Sequence, residues 1–206
     1  MPTSIAIIDY GMANLRSVQK AFEHEGIAAQ IISRPEQVEM FDKIVLPGVG
    51  AFKDAVATLR STALDQPILR HIRAGKPFLG ICLGLQMLFE KGFEDGEHDG
   101  LGVFAGKCVR IDVDRTLGLK VPHMGWNQLD KITDSPLFRG LSGQPSVYFV
   151  HSYHVIPDDP AIIATTTDYG RPFISSIWRD NVVATQFHPE KSQKTGLKIL
   201  QNFAQW

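Results

Sequence analysis

Cysteine is nearly absent from this chain. Cys82 and Cys108 are the only two in 206 residues, too few for a disulfide framework and in keeping with a reducing compartment. Charge of one sign is missing as well: 21 Lys and Arg stand against 22 Asp and Glu, a formal net charge of −1. That removes any bulk electrostatic case for nucleic acid or an anionic membrane as partner. No apolar run approaches the roughly 20 residues that a membrane-spanning helix needs. The opening MPTSIAIIDY lacks the basic start and long apolar stretch of a signal peptide. No repeat, low-complexity tract or domain linker is visible. These absences predict a cytoplasmic protein with no nucleic acid and no membrane among its partners. Apolar residues at 44% and charged residues at 21% are ordinary for a globular chain, and the length suits a single domain over 1–206.

The first half alternates short apolar runs with helical spacing. SIAIID (4–9), 28–32, KIVL (43–46) and 77–81 read as strands. Between them 15–24, 52–60 and 67–74 read as helices, and 83–91 follows the fourth strand as another. Unbroken apolar strands alternating with helices predict an α/β fold: an open, mixed, largely parallel sheet flanked by helices, flavodoxin-like. In the second half 107–113, 146–150, 162–167, 173–178 and 182–187 read as further strands, and 195–206 as a closing helix. The acidic stretch EDGEHDG (94–100) reads as a solvated loop.

Cys82 stands where the fourth strand gives way to its helix. A free cysteine is among the most buried residue types, so core packing is the ordinary reading. The setting argues otherwise. The carboxyl edge of a parallel sheet is where ligands bind, and Gly80-Ile81-Cys82-Leu83-Gly84 has the small–x–nucleophile–x–small pattern of a nucleophile elbow. Such a turn strains the central residue and brings the residues two before and two after it together, which glycine permits. A thiol at a helix start is favoured as thiolate, and the Leu83 N–H would point toward a developing oxyanion.

An elbow needs a base. His24 and His71 fall on helices and read as surface residues; His98 lies in the acidic stretch; His151 and His154 read as structural. His188 follows a strand directly in TQFHPEKS, with Glu190 two residues on. If Pro189 keeps the backbone extended, the two side chains point the same way, and the carboxylate can orient the imidazole. The plain alternative is a His-Pro turn beside a surface glutamate. Pro47-Gly48-Val49-Gly50 ends the third strand at the same edge; it lacks both phosphate-loop patterns, and two glycines around Val49 allow its peptides to flip. Spacing that would hold a metal is missing among the histidines.

With Pro47–Gly50, Gly80–Gln86 and His188–Glu190 in this order, the sequence resembles the class I (triad) glutamine amidotransferases. Six stretches carry the resemblance: IIDYGMANLRSV (7–18), LPGVGAF (46–52), GICLGLQMLFE (80–90), VPHMGWN (121–127), YFVHSYH (148–154) and QFHPEKS (186–192). It is most specific toward the members of histidine biosynthesis, which pass ammonia to a separate (β/α)8-barrel cyclase in a heterodimer. Ala13 departs from a usual glycine, a matter of local loop geometry.

The resemblance implies a catalytic set of Cys82, His188 and Glu190, with Val49 and Leu83 N–H groups forming the oxyanion hole. Substrate L-glutamine would meet Gly48, Gly50, Gln86, Ser152 and Tyr153, with no cofactor and no metal. Gln86 is otherwise an exposed helix residue, and Ser152 and Tyr153 a turn. VPHMGWN has no regular period and reads as an interface loop, so Met124 and Trp126, with Met12, Asn14 and Lys191, would face the cyclase. Met124 and Trp126 are otherwise core, and Asn14 the N-cap of the first helix. Cys108 reads as core. Two rivals stand beside this reading: a glutaminase serving another pathway, and an inactive amidotransferase-like scaffold with a structural Cys82.

Overall fold

The computed structural model describes residues 4–113, 116 and 118–206. In chain order its strands are β1 (Ile5–Ile8), β2 (Ala29–Ile32), β3 (Lys43–Gly48), β4 (Phe78–Cys82), β5 (Phe89–Gly92), β6 (His98–Asp99), β7 (Phe104–Arg110), β8 (His123–Gln128), β9 (Asp130–Lys131), β10 (Ser146–His151), β11 (Tyr153–Pro157), β12 (Ile163–Asp168), β13 (Pro172–Arg179) and β14 (Val182–Thr185). The helices are α1 (Leu15–His24), α2 (Phe52–Ser61), α3 (Asp65–Arg73), α4 (Leu83–Gln86) and α5 (Gln193–Gln205).

The main sheet has the order β2-β1-β3-β4-β14-β13-β12-β9. Its first five strands are mutually parallel and the rest antiparallel, so the α/β mixed sheet expected from the sequence is present. The parallel strands β1, β3, β4 and β14, inside the edge strand β2, are buried on both faces, which is why they are predominantly apolar. Ile5 and Ile7 pack with Val18 and Phe22 of α1 and Leu200 and Phe203 of α5 on one face. Ala6 and Ile8 pack with Phe52 and Leu59 of α2 and Ile68 of α3 on the other. Two smaller sheets lie beside it, β11-β7-β5-β6 and β10-β8.

Three local expectations need correction. The helix after Cys82 does not run to residue 91: it stops after one turn, and 89–92 form β5, parallel to β7. The apolar run from Leu85 to Phe89 satisfies either period, and tertiary pairing decides it. VPHMGWN is no loop. Residues 123–128 form β8, paired antiparallel with β10 through Trp126 opposite Tyr148 and His123 opposite His151. Its Gly125, at φ +137°, breaks the alternation that would have signalled a strand. His71 is buried, with Nε2 3.2 Å from the Pro77 carbonyl, so it is not a surface residue.

Candidate active site

The carboxyl ends of three adjacent parallel strands meet at one edge. Gly48, the last residue of β3, is opposite Cys82, the last of β4, and Thr185 of β14 is opposite Ile81. Beyond Thr185 the chain leaves β4: the Gln186 N–H donates to Ser175 O and the His188 N–H to Tyr148 O. The sheet thereby delivers Cys82, His188 and the Gly48–Gly50 turn to one place.

Cys82 has φ +55° and ψ −106°, a left-handed conformation rare for a side-chain-bearing residue. Its flanking glycines are needed for close approach. A Cβ on Gly80 would lie 2.8 Å from Gly84 O, and a Cβ on Gly84 only 1.9 Å from Leu46 O of β3. The elbow expected from the sequence is therefore present and is wedged against the neighbouring strand. With α4 only one turn long, the helix-dipole support expected for the thiolate is correspondingly reduced.

The side chains of His188 and Glu190 are both buried, and Nδ1 of the imidazole lies 2.8 Å from Oε1 of the carboxylate. Pro189–Lys191 forms a 3-10 turn, so the pair meets around a tight turn and not along extended backbone. Ser192 holds this turn: its hydroxyl donates to His188 O at 2.6 Å and accepts from the Tyr148 N–H at 2.9 Å. Burial opposes charge on His188, but the negative charge of Cys82 and the bond to Glu190 outweigh it, and the imidazole pKa rises from 6.5 to about 10. His188 Nε2 is buried without a hydrogen-bond partner. A thiol beside a carboxylate-oriented imidazole is the arrangement of an activated nucleophile.

A cavity of ≈ 360 Å³ opens over the thiol, lined by Val49, Gly50, Cys82, Leu83, Gln86, Glu94, Ser152, Tyr153, His188 and Lys191 among others. That volume suits a ligand of amino-acid size. A larger hollow of ≈ 840 Å³, bounded by Arg110–Val113 and Gly118–Val121, lies apart and holds none of these groups. The Val49 N–H does not face the cavity's reacting centre; it donates to Met12 O at 2.9 Å. Gly48 lies under Tyr10, whose hydroxyl would be 2.5 Å from a Cβ there. That hydroxyl is buried and unpartnered, and burial first, then the charge of Cys82, keeps it protonated.

Gln86 is buried, not exposed, and both amide hydrogens are committed inward, to Tyr153 O and to Gln186 Oε1, each at 3.1 Å. Its carbonyl oxygen is left as the group that can meet a ligand. Of the surface residues expected from the sequence, Met124 and Trp126 are 62% and 48% exposed on β8, which excludes their core reading. Lys191 is exposed over the Tyr148 ring. Asn14 instead lines a small cavity with Pro47, Val49, His188 and Glu190, and its side chain makes no cap bond to α1. Met12 sits against Gly50 and contributes the carbonyl that holds Val49. Cys108 is buried within β7, and burial pushes its thiol far up.

Sequence reasoning missed Glu94 and Gln186. Glu94, read as part of a solvated loop, accepts from the Phe52 N–H at 2.7 Å at the start of α2 and turns into the cavity; its place after Phe93 in an acidic run hid it. Gln186, two residues before His188, has its Nε2 3.6 Å from Cys82 Sγ. A buried chain of neutral rings also reaches the site. His123 Nδ1 and His151 Nε2 are 3.0 Å apart, and His151 Nδ1 donates to Tyr153 O at 2.8 Å. Burial lowers their pKa values to about 4 and about 3. Among the described residues no cluster of three or more His, Cys, Asp or Glu could hold a metal ion, and no helix is long and apolar enough to cross a membrane.

Known proteins resemble this chain over nearly its whole length. The family model "Glutamine amidotransferase class-I" matches residues 6–206. The imidazole glycerol phosphate synthase subunit HisH of Syntrophotalea carbinolica is 56% identical over 202 residues, 97% of this chain and 98% of that protein. HisH of Aquifex aeolicus is 55% identical over 96% of this chain and 94% of its own length. Among solved structures, that of PurLQS from Thermotoga maritima superposes with a TM-score of 0.77 at 18% identity, covering 98% of both chains; at that identity it speaks to the fold.

Proposed function

Since the chain belongs to the class-I glutamine amidotransferase family, we propose that the cavity over Cys82 is where it hydrolyses glutamine, and that Cys82, His188 and Glu190 carry the reaction. The protein acts as the glutaminase subunit of an imidazole glycerol phosphate synthase, in histidine biosynthesis. Ammonia passes to a cyclase, which we take to be a separate (β/α)8 barrel forming a heterodimer with this chain.

The chemistry follows from the groups present. The Cys82 thiolate attacks the side-chain amide carbon of glutamine, and the carbonyl oxygen gains negative charge. The Leu83 N–H stabilises that charge, joined by the Val49 N–H once it leaves Met12. His188 gives a proton to the departing nitrogen, and ammonia leaves behind a glutamyl thioester. Neutral His188 then takes a proton from water, whose hydroxide adds to the thioester, and glutamate departs as the sulfur regains its charge. Glu190 stabilises the imidazolium throughout. Glu94 offers a carboxylate to the substrate ammonium, and the Gln86 carbonyl oxygen, Gly48, Gly50, Ser152 and Tyr153 offer polar and backbone contacts around it. Met124, Trp126 and Lys191 are proposed to face the cyclase, on the exposed side of β8 and the turn after β14; Met12 and Asn14 lie beside Val49 and would act on the contact through the Val49 turn.

The observation that carries this reading is the convergence of a strained, glycine-flanked cysteine with a buried imidazole–carboxylate pair on one cavity. Losing an oxyanion donor costs about 3–4 kcal/mol of barrier, so the bond from the Val49 N–H to Met12 O is expected to keep the isolated chain slow. The test is glutamate release from glutamine by the chain alone, and then with the cyclase and its nucleotide ligand. Slow release alone and a rise of about 10²-fold or more in the complex support the reading. Release that persists in Cys82→Ser would refute the nucleophile, and full activity alone would refute the held oxyanion donor.

A further inference from the structure

We propose that Gln186 is a positioning residue for the reaction: its side-chain amide holds the Cys82 sulfur as a hydrogen-bond acceptor, in an orientation dictated by the Tyr153 main-chain carbonyl. The proposal rests on Cys82 being the nucleophile.

The orientation follows from donor and acceptor capacity alone. A carbonyl oxygen can only accept. Two groups meet Tyr153 O, His151 Nδ1 at 2.8 Å and Gln86 Nε2 at 3.1 Å, and both must donate. The same Gln86 amide meets Gln186 at 3.1 Å. Because Gln86 donates there too, Gln186 must present its oxygen. An amide whose oxygen is held on one side turns its NH2 to the other, and that NH2 stands 3.6 Å from Cys82 Sγ. Neither amide can be turned over. A flipped Gln86 would set oxygen against Tyr153 O. A flipped Gln186 would set NH2 against NH2 on one side and oxygen against sulfur on the other. Gln186 is fully buried and Gln86 is 5% exposed, so bulk water offers neither an alternative partner.

The consequence falls on the sulfur. Its second contact, Val150 O at 3.9 Å, accepts from the S–H and favours the thiol. An N–H directed at sulfur bonds the thiolate more strongly than the thiol, and so pulls the other way. The titratable groups that interact electrostatically with Cys82 from other elements include His188, Tyr10 and Cys108, and Glu94, His151, Tyr153 and Lys191 line the same cavity. The charge of His188 changes during the reaction, as it gives its proton to ammonia and takes one from water. Gln186 does not titrate, so it holds the sulfur in place through both half-reactions.

The experiment is the pH dependence of Cys82 alkylation by iodoacetamide, followed by peptide mass mapping on the full chain. Gln186→Met removes the donor at nearly constant volume. We expect alkylation at pH 7 about ten-fold slower. Gln186→Glu keeps an acceptor toward Gln86 but sets a carboxylate beside sulfur, and should be slower still. In the complex with cyclase, kcat for glutamine should fall while KM stays near its starting value. Alkylation curves that coincide with the unsubstituted protein in both folded variants overturn the proposal. Should the variants not fold, the unsubstituted protein decides: with 15N-labelled glutamine, the Gln186 side-chain amide resonance must move when Cys82 is alkylated, and a resonance that stays put overturns it. Cys82→Ser separates this from the reading beneath it. Glutamate release surviving in Cys82→Ser sinks the nucleophile itself, whereas release abolished there with unaltered alkylation in the Gln186 variants sinks only the positioning role.

Discussion

Gly84→Ala is the sharpest test of how the elbow is built. A methyl at this position would sit 1.9 Å from Leu46 O and 3.1 Å from the Leu46 carbonyl carbon. Both are backbone atoms of β3, at the centre of the main sheet, and cannot swing aside as a side chain would. Relief requires α4 and β3 to separate by about 1 Å. Overpacking of this kind costs about 3 kcal/mol, and a misplacement of about 1 Å near reacting groups costs about 10²-fold in rate. With a urea slope of about 2 kcal/mol per molar, the unfolding midpoint should fall by about 1.5 M. The assay is urea unfolding followed by far-UV circular dichroism, paired with glutamate release in the cyclase complex. Gly75→Ala is the control. Gly75, unlike Gly84, has positive φ, +74°, and nothing lies within 4 Å of a Cβ there, so only the backbone penalty of about 1 kcal/mol applies. If Gly84→Ala unfolds within about 0.5 kcal/mol of the unsubstituted protein, the wedge argument is wrong.

His188 should respond to its neighbour: in Cys82→Ser, a 15N imidazole titration should give a pKa lower than the raised value in the unsubstituted protein, because the charge of Cys82 is a main cause of the rise. The linked stability has a definite sign. A raised pKa contributes stability in full below the ordinary imidazole value near 6.5, and loses it as pH climbs through the raised value near 10; urea midpoints over that window should fall less steeply in Cys82→Ser. Lys43 closes the end of α5, its Nζ donating to Phe203 O, Ala204 O and Trp206 O at 2.9, 2.8 and 3.1 Å. Lys43→Met should therefore cost about 2 kcal/mol in urea unfolding by stranding three carbonyls, without altering glutamine turnover by folded protein. Trp126→Ala should leave the melting temperature nearly unchanged, since the ring is 48% exposed, and weaken binding to the cyclase by about ten-fold in titration calorimetry; a large loss of thermal stability with unaltered binding would reverse that assignment.

Much of the fold was legible because its determinants are local. The runs around Ile5–Ile8, Lys43–Gly48 and Phe78–Cys82 are apolar on both faces, a pattern that only a covered parallel sheet explains. The elbow was legible because Gly80 and Gly84 flank Cys82, and because a sharp turn makes the same demand wherever it occurs. The pair His188 and Glu190 was legible as neighbours, although the 3-10 turn that joins them was not. Where reading failed, the deciding contacts came from elsewhere in the chain. Residues 89–92 became a strand because β7 offered a partner, and 123–128 because β10 did. His71 was buried by its packing against the strand that follows α3, and Gln86 by partners in β11 and after β14.

The sequence by itself determined the mixed α/β sheet, the strained thiol at a strand end, and the imidazole–carboxylate pair two residues apart. Each depends on spacing within about ten residues, which the chain carries in any context. Only the tertiary structure decided that the Val49 N–H is held by Met12, that Glu94 turns into the cavity, and that Gln186 donates toward Cys82. Those are hydrogen bonds between residues 37 to 104 positions apart. Their donors and acceptors are common side chains and main-chain groups whose partners are chosen by packing, so no local pattern announces them.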